Sequence, residues 1–247
     1  MEKIDVLSRK NFVDQLLHLV NNISQNKSNA SFAINGTWGC GKSFVLDMLE
    51  KQLREYQSEE TSAEKYFIIR YNCWKYDYYE EPLLAIVAAI LDTIDERKNI
   101  VSAKTKEKVK SIAKIAAQGL IEKANEFAKE KTGINTKAIY DVVTKGLEKA
   151  EESIEEEYSY DLYFSFKKTL SNLRKAVASL AEESTIVLIV DELDRCLPEY
   201  TIKVLERLHH VFNGIPNIQV AIAVDNGILV NILMNIVANN VADFPIS

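Results

Sequence analysis

The sequence has little glycine, proline and cysteine, and it has no long apolar run. Its 247 residues include 8 Gly, 4 Pro and 3 Cys. So little glycine and proline excludes collagen-like and low-complexity chains. The cysteines are far apart and form no C-x-x-C pair, which argues against a disulfide framework or zinc site and favours a reducing cytoplasm. The longest apolar stretch, "TIVLIV" at 185–190, has the length of a strand, so we expect no membrane span.

The charge balance is mildly acidic. The formal net charge is -6, with 47% hydrophobic and 27% charged residues, a composition typical of a helix-rich globular protein. The length suffices for one sizeable domain, or for one domain that carries a large insertion. An acidic total argues against a protein that coats DNA, which needs a basic face, so we expect no nucleic acid partner.

The stretch "SFAINGTWGCGKSFVLDML" at 31–49 has a run of small residues between two apolar segments. This run fits the pattern G-x-x-x-x-G-K-[ST] of a phosphate-binding loop, the Walker A motif. Backbone N–H groups can wrap a polyphosphate only where the chain passes close to it, often at positive φ, which favours glycine. The lysine supplies a positive charge for the β- and γ-phosphates, and the following serine supplies a hydroxyl for Mg²⁺. The predicted nucleotide-binding residues are Gly36, Thr37, Trp38, Gly39, Cys40, Gly41, Lys42, Ser43 and Phe44.

The context of the motif supports this interpretation. The apolar run at 30–36 predicts a buried strand, and the spacing of apolar residues at 43–56 predicts a helix. A glycine-rich turn without ligand is the alternative. Trp38 could shield the phosphates or simply pack, and Cys40 occupies a variable position to which we assign no chemistry.

A second motif, "STIVLIVDELDRC" at 184–196, predicts a buried parallel strand that ends in acids. Ligands of open α/β sheets lie beyond the carboxyl ends of the strands, so Asp191 would emerge beside Ser43 and hold Mg²⁺. Glu192 could then polarise the attacking water. The alternative is that both acids begin a solvated loop. Arg195 could reach a γ-phosphate, as a catalytic residue, or be the salt-bridge partner of nearby acids such as Asp194.

Two further strands are predicted, at 65–72 and 217–227. Four strands that alternate with helices indicate an α/β fold with a parallel sheet and helices on both faces. The last strand ends at Asp225. This residue would lie near the γ-phosphate if its strand lies beside the first, or it could be the N-cap of the next helix.

The segment 99–183 has no strand pattern. Apolar spacings of three and four predict amphipathic helices there, including 104–123, 139–154 and 162–180. The lysine-rich helix at 104–123 could touch a membrane surface or nucleic acid, but such a charge run is more often a solvated face.

Four segments together resemble the KAP family of P-loop NTPases. They are "GTWGCGKS" (36–43), "RYNCWKYDYYEEPLLAIVAAI" (70–90), "VDELDRCLPE" (190–199) and "VAIAVDNGIL" (220–229). The family's motifs are G-x-W-G-x-G-K-S, N-x-W-x-Y after the second strand, and D-[DE]-L-D-R. Asn72, Trp74 and Tyr76 match the second motif.

The resemblance implies an additional-strand (ASCE) P-loop core, in which one extra strand separates the phosphate-loop strand from the acid-bearing Walker B strand. It implies a core of 1–98 and 184–247, interrupted by a helical insertion at 99–183 between the second strand and the Walker B strand. It also implies ATP with Mg²⁺, with Lys42 on phosphate, Ser43 and Asp191 on metal, and Glu192 on water. Relatives continue further after the fourth strand, so we expect a short form or a fragment.

Three hypotheses follow. The first is a Mg-dependent ATPase that drives or regulates an assembly, with low turnover unless a protein partner or homo-oligomer completes the site. Soluble bacterial relatives are associated with excluding phage or plasmids, which suggests a role in defence. The second is a nucleotide-gated binding module with little turnover, whose helical insertion docks an effector or trigger protein. The third is a structural or nucleic-acid-associated protein whose loop is vestigial.

Overall fold

The computed structural model describes residues 8–56, 65–77, 81–96, 101–111, 162–225 and 227, apart from the side chains of 162–166. Helices and strands alternate along the chain. In order, they are α1 (Lys10–Gln25), β1 (Ala30–Asn35), α2 (Lys42–Glu55), β2 (Tyr66–Asn72), a 3-10 turn (Trp74–Tyr76), α3 (Pro82–Glu96), α4 (Leu162–Glu183), β3 (Thr185–Asp191), a 3-10 turn (Leu193–Arg195), α5 (Pro198–Phe212) and β4 (Ile218–Val224). Residues 103–111 are also helical.

The strands form one parallel sheet. Their order is β1-β4-β3-β2, and every neighbouring pair in that order is parallel. Strand β4 therefore separates β1, which leads into the phosphate loop, from β3, which ends at Asp191. The predicted α/β fold with an additional strand is confirmed, and the carboxyl ends of all four strands meet at one edge of the sheet.

The sheet has a hydrophobic core on each face. Because side chains alternate along a strand, Tyr66 and Ile68 of β2 point to one face and Phe67, Ile69 and Tyr71 to the other. The first face packs against α1 and α2, and the second packs against α3, α4 and α5. The result is a three-layer arrangement in which α2 covers the face that also carries Asp191.

Strand β1 differs from its prediction as a buried strand. Only Ile34 is buried, and its exposed residues are Ser31, Ala33 and Asn35. Within the described sheet β1 is an edge strand that pairs only with β4, so its burial is lower than that of β3, all of whose residues are buried.

Two parts of the predicted insertion are described. Helix α4 contributes Leu173, Val177 and Leu180 to the core on the second face of the sheet. Val109, in the helical segment 103–111, joins the same core. The predicted helix at 139–154 lies outside the described residues, and the division into core and insertion stays a prediction. Within the described ranges, no helix combines the length and apolar character that crossing a bilayer requires.

Candidate phosphate and metal site

The loop between β1 and α2 has the backbone of an anion cradle. Gly39 and Gly41 have φ of 80° and 95°, a region that L side chains rarely adopt. A Cβ at either glycine would meet nothing within 4 Å, so this side of the loop faces open space. A Cβ on Gly36 would instead collide with Cys40 Sγ. The Gly36 N–H donates to the Val224 carbonyl at 3.1 Å, which extends the β1–β4 ladder into the loop.

The loop lysine is turned towards protein groups. Lys42 Nζ donates to the carbonyl oxygens of Gly36 at 2.8 Å and Thr37 at 3.4 Å. It also forms an ion pair with Asp194 Oδ2 at 3.3 Å, and both side chains are largely buried. An incoming phosphate would therefore have to displace Asp194 from the ammonium group of Lys42.

Ser43 and Asp191 meet at the carboxyl edge of the sheet, where their sequence positions predict. The Ser43 hydroxyl donates to Asp191 Oδ1 at 3.1 Å, across 148 residues of sequence. The same Oδ1 accepts the Glu192 N–H at 2.9 Å, and Asp191 is only 3% exposed. A hydroxyl and a carboxylate are hard oxygen ligands of the kind that Mg²⁺ prefers. The donor set thus fits the metal that the family resemblance implies.

Glu192 is fixed by its backbone and by two side chains. Its φ of 58° lies in the left-handed region, which re-aims the chain just after β3. Oε2 accepts a hydrogen bond from Asn72 Nδ2 at 2.9 Å, and Oε1 forms an ion pair with Arg195 Nη1 at 3.0 Å. The carboxylate that sequence reasoning assigns to the attacking water is therefore already engaged on both oxygens.

Arg195 lies between an acid and an aromatic ring. Besides its ion pair with Glu192, its guanidinium stacks over the Trp74 ring, 5.3 Å from the centroid. Trp74 and Glu192, the two contacts of Arg195, also line an open cavity of about 550 Å³, together with Asn72, Lys75 and Asp77. Arg195 thus forms an ion pair with a neighbouring acid, and its contact with a γ-phosphate stays a prediction.

The remaining predicted residues have varied positions. Trp38 is 74% exposed, so it does not pack in the core, and Thr37 is also exposed. Phe44 is partly buried in the first turn of α2. Asp225 follows β4, which does lie beside β1, and its Oδ1 accepts the Gly227 N–H at 3.0 Å, the contact expected of an N-cap.

Three residues near the site were not assigned a role from the sequence. Asn72 donates to Glu192, and Arg70 forms an ion pair with Asp191 at 2.6 Å. Arg9 Nη2 donates to the Cys40 carbonyl in the phosphate loop at 2.9 Å. A charged residue inside the apolar strand "YFIIRYN" is a visible signal for Arg70, whereas nothing in the sequence around Arg9 indicates its contact.

The two cysteines beneath the site are buried thiols. Burial and, to a smaller extent, the nearby acids raise the pKa of Cys196 to about 12. Burial also raises the pKa of Cys73 well above its ordinary value. Both thiols stay protonated at neutral pH, so neither is a nucleophile.

Comparison with known proteins identifies the family. No curated protein matches the chain. A family model described as the KAP family P-loop domain matches residues 9–244, nearly the whole length. The chain therefore belongs to the KAP family of P-loop domains, which confirms the predicted family and, at that level, a nucleotide-binding domain.

Proposed function

We propose that the protein binds ATP with Mg²⁺ and hydrolyses it, and that hydrolysis regulates or drives an assembly. The observation that supports this most is the Ser43–Asp191 hydrogen bond of 3.1 Å, which joins the phosphate loop to the acid-bearing strand. Helix α2 packs on the face of the sheet that carries Asp191, and this brings the hydroxyl at the start of the helix to the carboxylate at the end of β3. Their meeting beside Lys42 is what a metal–phosphate site requires.

Each residue has a distinct role in this proposal. Lys42 binds the β- and γ-phosphates, and the N–H groups around Gly39 and Gly41 surround them. Ser43 and Asp191 hold Mg²⁺, which when bound neutralises phosphate charge. Glu192 orients the attacking water and accepts its proton.

Two substitutions separate binding from hydrolysis. Lys42→Ala is expected to abolish stabilisation by Mg·ATP, because the phosphates lose their cation. Glu192→Gln is expected to keep binding and to lower phosphate release at least 100-fold, as is typical for loss of a general base. Lys203→Ala, at an exposed position of α5, is the control and should resemble the wild type. Phosphate release that is unchanged in Glu192→Gln would contradict the role of Glu192.

A nucleotide-gated module with little turnover is the second candidate. The ion pair of Lys42 with Asp194 and the contacts of Glu192 with Asn72 and Arg195 favour it. Both groups that the reaction needs are engaged by other side chains, so turnover would wait for a partner or a second copy of the chain. We expect Asn72→Ala to raise basal phosphate release several-fold, because one of the two restraints on Glu192 is lost. ATP binding with no phosphate release in either protein would favour a pure binding module.

A role in defence against phage or plasmids stays a prediction that rests on the family resemblance. It is tested by comparing phage plaque counts and plasmid retention in cells that express the wild type or Lys42→Ala. Equal counts and equal retention would contradict it.

A further inference from the structure

Arg70 is placed by the sheet beside the predicted metal ligand. Along β2, Tyr66, Ile68 and Arg70 alternate onto the face that α2 covers, and the two apolar members lie in the core there. On β3 the same face carries Ile189, which is the register partner of Arg70, and then Asp191. Arg70 and Asp191 are therefore diagonal neighbours, and their side chains meet at 2.6 Å.

Helix α2 brings two more acids to the same arginine. Ser43, Asp47 and Glu50 follow one another at spacings of four and three, so they share one face of the helix. Arg70 Nη2 lies 3.3 Å from Asp47 Oδ1, and Nη1 lies 3.4 Å from Glu50 Oε2. One guanidinium, with its five N–H donors, thus serves three carboxylates.

Through these contacts, Arg70 competes with a metal ion for Asp191. Asp191 Oδ1 already accepts from Ser43 and from the Glu192 N–H, and Oδ2 accepts the Arg70 hydrogen bond. A cation that binds Asp191 must share the carboxylate with a guanidinium that neutralises it. Asp191 is nearly buried, so solvent screens this competition little.

We propose that Arg70 is a positioning residue that sets the strength of the metal site, by exchanging Asp191 for Asp47 and Glu50 when Mg²⁺ binds. The proposal rests on the proposed function, since it assumes that Asp191 holds Mg²⁺. Asp47 and Glu50 are already within 3.4 Å, so Arg70 can release Asp191 without becoming unpaired in a partly buried place. Arg70 is in this way a built-in counter-charge that weakens the binding of metal at Asp191.

The test measures how much the metal strengthens nucleotide binding. The dissociation constant of ADP is determined by calorimetry in EDTA and in Mg²⁺. The value in EDTA divided by the value in Mg²⁺ gives the coupling between metal and nucleotide. ADP avoids any contribution from turnover. Arg70→Met keeps an unbranched apolar stem and removes the charged guanidinium, so we expect the ratio to rise about tenfold, equivalent to 1.4 kcal/mol. Arg70→Lys keeps the charge and is expected to stay near the wild-type ratio.

A second pair of variants tests the exchange itself. In the double variant Asp47→Asn, Glu50→Gln, Asp191 is the one carboxylate that Arg70 keeps among its contacts in the described part of the chain, so we expect the ratio to fall about tenfold. Glu55→Gln, an exposed acid on the same helix, removes a charge without touching Arg70 and should leave the ratio unchanged. This arm remains decisive if Arg70→Met does not fold.

The outcomes separate the inference from the proposed function. A ratio in Arg70→Met that equals or falls below the wild type overturns the role of Arg70, and so does an unchanged ratio in the double variant. If wild-type protein binds ADP equally in EDTA and in Mg²⁺, or not at all, the proposed metal site itself is wrong.

Discussion

Glu192 combines a candidate catalytic side chain with an unfavourable backbone. Its φ of 58° is costly for a residue with a Cβ, by about 1 to 2 kcal/mol. The conformation turns the chain at the end of β3 so that the carboxylate reaches Asn72 and Arg195. Strain of this kind persists where the surrounding structure fixes it, which here includes the hydrogen bond from the Glu192 N–H to Asp191.

The strain at Glu192 predicts that a glycine variant at this position is more stable than an alanine variant. Glu192→Gly is expected to be more stable than Glu192→Ala by about 0.5 to 1 kcal/mol in urea unfolding, because glycine adopts positive φ without penalty. At Lys203, an exposed position inside α5, the order should reverse, with glycine about 1 kcal/mol less stable than alanine. The same order at both positions would contradict strain at Glu192.

At the scale of elements, α2 is held in place by its apolar face. Leu46 is fully buried between α2 and the sheet, so Leu46→Ala leaves a cavity beneath the helix that carries Lys42 and Ser43. We expect a loss of about 3 kcal/mol in the free energy of unfolding. Leu197 is 74% exposed, and Leu197→Ala should change stability by less than about 0.5 kcal/mol. Chemical denaturation of both variants checks this, and a similar loss for the two would contradict the packing.

Glu183, at the end of α4, accepts hydrogen bonds from residues at the start of the helical segment 103–111. Its Oε2 accepts the Ser102 N–H at 2.6 Å, and its Oε1 accepts the Ser102 hydroxyl at 2.8 Å and the Thr105 hydroxyl. The first described residues of the predicted insertion are thereby tied to its last residue. Burial raises the pKa of Glu183, but the hydrogen bonds from Thr105 and Ser102 outweigh this, so its pKa is lowered overall.

The lowered pKa predicts how this contact depends on pH. A carboxyl with a lower pKa in the folded state stabilises the fold above its unfolded pKa, about 4.3, and this stabilisation is lost as the pH falls through the folded value. Glu183→Gln should therefore be less stable than the wild type at pH 7, and the difference should shrink between about pH 5 and pH 3. Urea unfolding at several pH values measures it, and a difference that does not vary with pH would contradict the role of the charge.

Elements with strong sequence patterns were predictable close to their ends. The strand predicted at 65–72 corresponds to Tyr66–Asn72, and the helix predicted at 43–56 corresponds to Lys42–Glu55. Continuous apolar runs and helical spacing depend on local sequence, so they can be recognised without the fold. The exposure of β1 could not be predicted in this way, because it depends on which strand lies at the edge of the sheet.

At the scale of the molecule, nucleotide binding should stabilise the whole fold. The site joins β1 and β3, which lie on either side of β4, with α2, so unfolding any of these elements removes it. Mg·ATP at 100 times its dissociation constant adds about 2.7 kcal/mol, or roughly 5 to 10 °C in melting temperature for a chain of this size. Differential scanning fluorimetry with Mg·ATP and with ATP in EDTA measures the shift. No shift in the wild type would contradict the proposed site.

The parts of the site that the sequence predicted are those that sequence motifs encode. Lys42, Ser43 and Asp191 were located by two motifs and by the rule that parallel strands end at one edge, and the structure brings them together. The ion pair of Arg70 with Asp191 joins residues 121 positions apart. It depends on strand register and on the face of α2, and neither can be read from local patterns.

The hydrogen bond from Gly36 to Val224 has a consequence for the timing of amide exchange. Because it continues the β1–β4 ladder, the Gly36 amide should exchange with deuterium as slowly as the interior of the sheet. The amides of Gly39 and Gly41 are not held in this ladder and should exchange quickly until a phosphate accepts them. The exchange rate at the start of the loop is therefore set by the stability of the sheet, whereas the rate at Gly39 and Gly41 is set by ligand binding.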